Sequence, residues 1–308
     1  LFYVRSWRLA AAIVGAFAVS AFLNDLWVAL QVYFHLNFGW GNRPVGFSKS
    51  PTFLGSFMLM TIPVLFLVPA HLFSRLPWKV FCWGCSIFSI VVLFLTQTRG
   101  AWIAFFGTVI VLVLLEVRYR KVCLVGLIVL LMACMTAFHE YPEYYTRAGQ
   151  TLDPQFQSNT ERVLMWKAAV QIFADHPIVG IGQDEFGLVY NRDYISPQAK
   201  ERPVDPNNPR SGHGHPHNNL LKVLSERGLV GIAGFLLVHG FVLLQLYRAF
   251  RWAKNPNTYM FAFAAILVFV GIQMEGLTDT NLQISQIART YWFLLGLCLA
   301  AGKMKEAD

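Results

Sequence analysis

Residues 80–115 read VFCWGCSIFSIVVLFLTQTRGAWIAFFGTVIVLVLL, two apolar runs separated by a short polar turn whose one charged residue is Arg99. Apolar runs near 20 residues cross a bilayer as helices, because only a helix satisfies its own backbone in hydrocarbon. The two runs therefore predict a membrane hairpin, with its turn at Thr98, Arg99 and Gly100, where glycine permits a tight reversal. Lys79 precedes the hairpin, and Arg118, Arg120 and Lys121 follow it. Both open ends are thus basic, as expected of the cytoplasmic side.

Working outward, the same kind of run recurs at about 9–34, 52–73, 80–97, 101–117, 122–139, 228–247, 258–275 and 288–302. The predicted fold is an all-α polytopic membrane protein, a helical bundle of about eight spans with one large periplasmic loop. Its expected divisions are 1–139 (spans one to five), 140–227 (the loop, with an amphipathic helix) and 228–308 (spans six to eight). Composition agrees: of 308 residues 56% are hydrophobic and 14% charged, well below the roughly 25% charged of soluble domains.

The net charge of +8 does not point to nucleic acid, because the basic residues form short clusters between apolar runs. Arg5 and Arg8, Arg75 and Lys79, the 118–121 cluster, Arg248, Arg251 and Lys254, and Lys303 and Lys305 occupy alternate connections. That pattern predicts both ends on the cytoplasmic side and the long 140–227 segment on the opposite, periplasmic side. The first run is too long for a cleaved signal peptide, and a start at Leu1 without methionine suggests a further N-terminal segment. Cys82-Trp-Gly-Cys85 mimics a redox pair, but it lies inside an apolar span, as the other cysteines (Cys123, Cys134, Cys298) lie in or beside one. Packing is the expected role.

In the loop, Thr160–Ala174 sets Val163, Trp166, Ala169, Val170 and Phe173 at helical spacing, an amphipathic helix at an interface or over a cavity. Residues 191–214, rich in Pro, Asn, Asp and Gly, read as an irregular loop.

Three positions carry candidate chemistry. Arg43, in Gly41-Asn-Arg-Pro-Val-Gly46, and Arg99 both stand where an apolar span meets the periplasm, against the positive-inside pattern. Each alone could snorkel to headgroups or pair with a carboxylate. Two together favour an anionic ligand, since the planar guanidinium grips phosphate through two donors and stays charged beside lipid. No clustered acidic motif suggests a metal to hold a diphosphate instead. The third position is His213-Gly-His215-Pro-His217-Asn218-Asn219, just before span six. Imidazole suits proton abstraction near neutral pH; metal ligation and a structural role are the other readings of three alternating histidines. Gly228 and Gly231 would allow close helix packing. Asn24 and Asp25 in span one, and Glu275 and Asp279 at the end of span seven, are further candidates. Asp25 is expected to pair with and orient an arginine.

These residues resemble the O-antigen ligase family. His217-Asn218, nine residues, Gly228, two residues, Gly231 matches that family's H-[NSQ]-x9-G-x-x-G pattern. Thr98-Arg99-Gly100-Ala101-Trp102 is similar to its S/T-R-G-A-W turn, and Arg43-Pro-Val-Gly46 with Pro51 to its R-x-x-G…P element. Arg162…Trp166…His176-Pro177…Gly180-Ile-Gly182 resembles its R…W…P-x-x-G-x-G stretch. The resemblance implies a GT-C-like membrane glycosyltransferase of inverting, metal-independent type that uses no cofactor. The donor would be undecaprenyl-diphosphate-linked glycan and the acceptor lipid A-core, with membrane lipids around. Arg43 and Arg99 would bind the donor diphosphate, Arg162 would add a secondary phosphate contact, and His217 would be the base. Asp25, His215 and Asn218 would support the site. O-antigen polymerases and protein O-oligosaccharyltransferases share the superfamily, and a small-anion transporter is a further alternative. Family members commonly have about twelve spans, so some four preceding helices are expected beyond those read here.

Overall fold

The computed structural model describes the chain apart from residues 1–3, 117–119, 123–124, 127, 130–131, 133–141, 152, 154, 200–213, 302–303 and 305–308. The regular structure of the described residues is helical. Its principal elements are α1 (Trp7–Tyr33), α2 (Pro51–Leu67), α3 (Leu76–Leu95), α4 (Arg99–Leu115), α5 (Gln157–Asp175), α6 (Asn219–Arg251), α7 (Pro256–Glu275) and α8 (Ser285–Ala301). Among the described residues, five segments are long and apolar enough to cross a membrane: α1, α2 extended to Leu72, α3, α6 and α7. α4 and α8, at 17 residues each, are shorter. The chain is an all-α polytopic membrane protein. Every expected span but the fifth coincides with one of these helices. That fifth run, 122–139, lies largely outside the described residues, as do Cys123, Cys134, Arg118, Lys303, Lys305 and His213.

The chain divides into two compact units: residues 1–140, 242–275 and 284–308, and residues 141–241 with 276–283. In the first, α2 and α7 are the most enclosed helices; α2 packs on α3 and α7, and α7 on α4 and α8. α1 buries Ala10, Val14, Ala18, Ala21, Asp25 and Val28, a stripe of helical period made mostly of small residues that let another helix approach closely. α2 starts with Pro51 at its first turn, capped by Ser50 Oγ, which accepts from Phe53 N at 3.3 Å. Cys82 and Cys85 are buried free thiols within α3, on a helix rather than at an exposed helix start.

Two sequence expectations change here. The reversal between α3 and α4 turns on Gln97, whose φ is +51°, whereas Arg99 and Gly100 are already helical. Thr96 supports this turn by donating its hydroxyl to Leu93 O (2.7 Å) and accepting from Thr98 N (3.2 Å), so hydroxyl chemistry replaces the glycine. Among the described residues Asp25 pairs with no arginine: it accepts from Ser89 Oγ at 2.7 Å and Asn24 Nδ2 at 3.3 Å, a neutral-donor solution to a buried carboxylate.

In the second unit α5 buries Met165, Ala168, Ala169 and Ile172 against Phe186 and Tyr190. The inward stripe is therefore rotated from the expected one, and Val163 and Val170 are exposed. The start of the 191–214 loop is helical: a short helix, Phe186–Val189, runs on into a π-turn over Tyr190–Tyr194, and Tyr194 donates its hydroxyl to Asp175 at 2.7 Å.

One backbone exchange organises this unit. At Gly228 (φ +59°, ψ −155°) α6 is broken. Leu229 N and Val230 N would, in a continuous helix, donate to Ser225 O and Glu226 O. They donate instead to Pro177 O (2.8 Å) and Ile178 O (3.2 Å), while Ser225 O and Glu226 O accept from Ile181 N (3.1 Å) and Gly182 N (2.9 Å). Two helical hydrogen bonds become four between segments, and the four backbone groups released by the break all keep partners. The strands of chain approach so closely that a Cβ on Gly228 would lie 2.4 Å from Ile178 O, and one on Gly180 2.3 Å from the Glu226 carbonyl carbon.

Candidate functional site

In the first unit the turn at 96–98 assembles an arginine pair. Arg99 is the first residue of α4 and is buried. Arg43 comes to the same turn from the loop before α2: its Nε donates to Thr96 O at 2.9 Å and its Nη2 to Thr98 Oγ1 at 3.2 Å. Further contacts hold the turn in place. Trp102 donates its indole N–H to Leu93 O at 3.3 Å and stacks on Phe94 with ring centroids 5.6 Å apart. Ala101 is pressed against α2, where a Cβ on Gly55 would stand 3.0 Å from its methyl. Thr98, Ala101 and Trp102 of the T-R-G-A-W stretch therefore each have a visible structural task.

In the second unit the residues 215–219 are held from three directions. Trp166 of α5 donates its indole N–H to Pro216 O at 2.8 Å. Asn218 caps α6, its Oδ1 accepting from Leu221 N at 3.0 Å, and donates Nδ2 to Leu277 O at 3.0 Å. Asn219 donates its backbone N–H to Gly276 O and its side-chain N–H to Asn281 Oδ1, both at 2.7 Å. His217 sits in the left-handed region (φ +49°), a conformation that costs free energy and is held by these tethers.

That geometry brings His217 Nδ1 to 3.5 Å from Asp279 Oδ1, an electrostatic contact longer than a good hydrogen bond. The Asp279 carboxylate, which also accepts from Thr280 N at 2.7 Å, is buried. Burial pushes its pKa up, but His217 and then His215 pull it below the usual carboxylate value, so it is ionised at neutral pH. His215 behaves oppositely. Burial first, and the charge of His217 second, push it down from 6.5 to about 3, so it is neutral. Its Nδ1 accepts from His217 N at 3.3 Å and lies 3.1 Å from Thr280 Oγ1, which leaves its proton on Nε2. Arg162, one turn before Trp166 on α5, is electrostatically coupled to both Asp279 and His215; burial lowers its pKa and Asp279 partly restores it. His215, His217 and Asp279 each offer a ligand atom within 4.8 Å of the others.

Of the sequence candidates, Arg43 and Arg99 share one turn in the first unit, and Arg162, His215, His217 and Asn218 gather in the second. Asp25 belongs to a separate buried cluster with Asn24 and Ser89. Asp279 stands in the sequence 62 positions after His217, with no signal of their pairing. Trp166 and Asn219 stand out in the sequence without their tethering role, and Thr280 and Asn281 carry no signal at all.

Residues 84–236 match the family profile described as O-antigen ligase. That interval contains the Arg99 turn, Arg162, the Pro177–Gly182 segment and the His217–Gly231 stretch; Arg43 and Asp279 fall outside it. The chain is 25% identical over 255 residues to an O-antigen ligase of Salmonella typhimurium, covering 77% of this chain and 59% of that protein. It is 24% identical over 141 residues to a Rickettsia bellii protein provisionally named a polysaccharide ligase, covering 45% of this chain and 31% of the relative. The chain thus spans under two thirds of the length of either. With the arginine turn, loop segment and His–Asn…Gly-x-x-Gly stretch all inside one matched interval of just under half its length, the chain resembles the O-antigen ligase family.

Proposed function

We propose that the protein is an O-antigen ligase that transfers a glycan from undecaprenyl diphosphate to lipid A-core at the periplasmic face of the inner membrane. The observation that carries this reading is His217, strained into place and backed by an ionised, buried Asp279. A carboxylate at Nδ1 keeps the proton of a neutral imidazole on that nitrogen and leaves Nε2 as the basic end. In the reaction the acceptor hydroxyl oxygen bonds to the anomeric carbon while the bond from that carbon to the diphosphate oxygen breaks. The hydroxyl proton passes to His217 Nε2, and attack from the face opposite the leaving group inverts the anomeric centre. Arg43 and Arg99 bind the donor diphosphate, whose charge grows as it leaves, and Arg162 adds a phosphate contact. Neutral His215 supports His217 without adding a charge.

A divalent ion at His215, His217 and Asp279 is the competing use of the cluster. It would meet a single carboxylate, with Arg162 and Lys222 acting on the same histidine. Cationic neighbours favour a phosphate over a metal there. Transfer should therefore survive EDTA, and loss of activity restored by magnesium or manganese would contradict this.

The test of function is the lipopolysaccharide ladder of a strain lacking the protein. Intact core without polymer supports a ligase, whereas core bearing one repeat identifies a polymerase. An unchanged ladder overturns both.

A further inference from the structure

Gln31, near the end of α1, is 2% exposed, yet it is polar and lies in a helix long and apolar enough to span a membrane. Its Oε1 accepts from Val45 N and Gly46 N, both at 3.0 Å, and its Nε2 donates to Gly46 O at 3.1 Å. One amide thus satisfies three backbone groups of two consecutive residues. Seven positions earlier on the same helical face, Asn24 Oδ1 accepts from Phe47 N at 3.0 Å. Asn24 is itself fastened through Asp25 to Ser89 of α3. The loop is drawn so tightly onto α1 that a Cβ on Gly46 (φ +59°) would stand 2.5 Å from Asn24 Oδ1 and 3.1 Å from Leu54 Cδ1.

The clamped residues begin two positions after Arg43, and the link between them is Pro44, whose ring fixes φ. A displacement of Val45 is therefore passed to Arg43 with little room to be absorbed. The Arg43 guanidinium then reaches Thr96 O and Thr98 Oγ1, beside Arg99. We propose that Gln31, assisted by Asn24, is a positioning residue that sets the aim of the Arg43 fork, and that it acts on the donor diphosphate only through Arg43. This rests on the reading of Arg43 as a diphosphate ligand given above. A merely structural role, satisfying loop backbone in an apolar setting, predicts lost protein and no selective effect on one substrate.

The experiment measures transfer by the full-length protein in nanodiscs, with purified lipid-diphosphate-linked glycan as donor, for Gln31→Leu, Arg43→Ala and the double variant. Misplacement of a binding group by about 1 Å can cost on the order of 10²-fold. Gln31→Leu is expected to lower kcat/KM for the donor by roughly tenfold to a hundredfold, with the acceptor KM unchanged. On the Arg43→Ala background the same substitution is expected to add almost nothing. Multiplying effects in the double variant, or an acceptor KM that rises in step with the donor's, would overturn the proposal. If Gln31→Leu does not yield folded protein, Gln31→Glu is read in its place. It keeps an acceptor for both N–H groups and loses only the Gly46 O bond, so it should show a smaller donor effect that is equally absent without Arg43. An Arg43→Ala protein with unaltered donor kinetics would instead remove the diphosphate reading itself, and this proposal with it.

Discussion

The arginine turn of the first unit and the histidine cluster of the second are built by different means. Arg99 stands on a local device, a three-residue reversal whose hydroxyls and tryptophan satisfy the end of α3, and Arg43 is brought onto that turn from the loop before α2. The cluster around His217 is assembled from segments far apart in the chain: α5, the 215–219 stretch and the 276–281 connection. A local device shows as a compact motif and tolerates change at its periphery. An assembly of distant segments depends on each tether, and its partners leave no contiguous signature.

The strongest way to break this contrast is at the glycines of the second unit. Gly228→Ala would place a methyl 2.4 Å from Ile178 O, backbone against backbone, at a φ of +59°. A loss of at least about 3 kcal/mol is expected, read as failure to recover folded protein or a large fall in its thermal midpoint. Gly231→Ala, in the same motif, would set its methyl 2.1 Å from Arg227 Cβ, an atom held by the backbone, and is also expected to destabilise the fold. A Gly228→Ala protein that folds and melts as wild type would show that the backbone exchange is not what the motif secures.

Next in size is Asp279→Asn. It keeps the shape but removes the charge that backs His217, and turnover should fall by roughly tenfold to a hundredfold while donor binding holds. An unchanged kcat would mean that His217 works without its long-range partner. In the first unit, Arg43→Lys and Arg99→Lys retain charge but lose the fork, and a drop in donor kcat/KM of about tenfold is expected. Near-normal kinetics for both would reduce the pair to electrostatic anchors.

The smallest effect concerns acid. His215 is held neutral in the fold, its pKa moved from 6.5 to about 3 by burial. Between those values the unfolded chain binds a proton that the folded chain does not, so stability falls as pH drops below 6.5, by about 1.4 kcal/mol per unit at the limit. Asp279 acts in the same direction but lower. Its depressed pKa gives stability that is present above the ordinary carboxylate range and lost as pH falls through its folded value. His215→Gln should flatten the decline between pH 6.5 and 5, leaving the lower limb; a wild-type slope in that variant would contradict the assignment.

The same contrast explains what the sequence made legible. Uninterrupted apolar runs announced α1, α2, α3, α6 and α7, because hydrocarbon imposes length and composition on any helix that crosses it. Arg43, Arg99 and His217 stood out as polar groups beside such runs. Gln97 did not announce the turn, since a left-handed glutamine has no composition signal and Thr96 supplies the support. The inward face of α5 was misjudged because Val163 and Val170 are apolar yet exposed, and because Ala168 and Ala169 bury little surface of their own. Asp279 could be named as a lone carboxylate near a span end, but its pairing with His217 depends on Asn218 and Asn219 fastening the 276–281 segment, a tertiary fact.

The central claim is that His217 takes the acceptor proton. Its most direct test is the transfer rate of His217→Gln in the full-length protein, measured from pH 5 to pH 8 beside wild type, with both confirmed as folded. Glutamine retains hydrogen bonding but cannot accept the proton, so turnover should fall by about 10² to 10⁴ across that range. A His217→Gln protein as active as wild type across that range would contradict the claim and leave His217 as a group that only positions the acceptor.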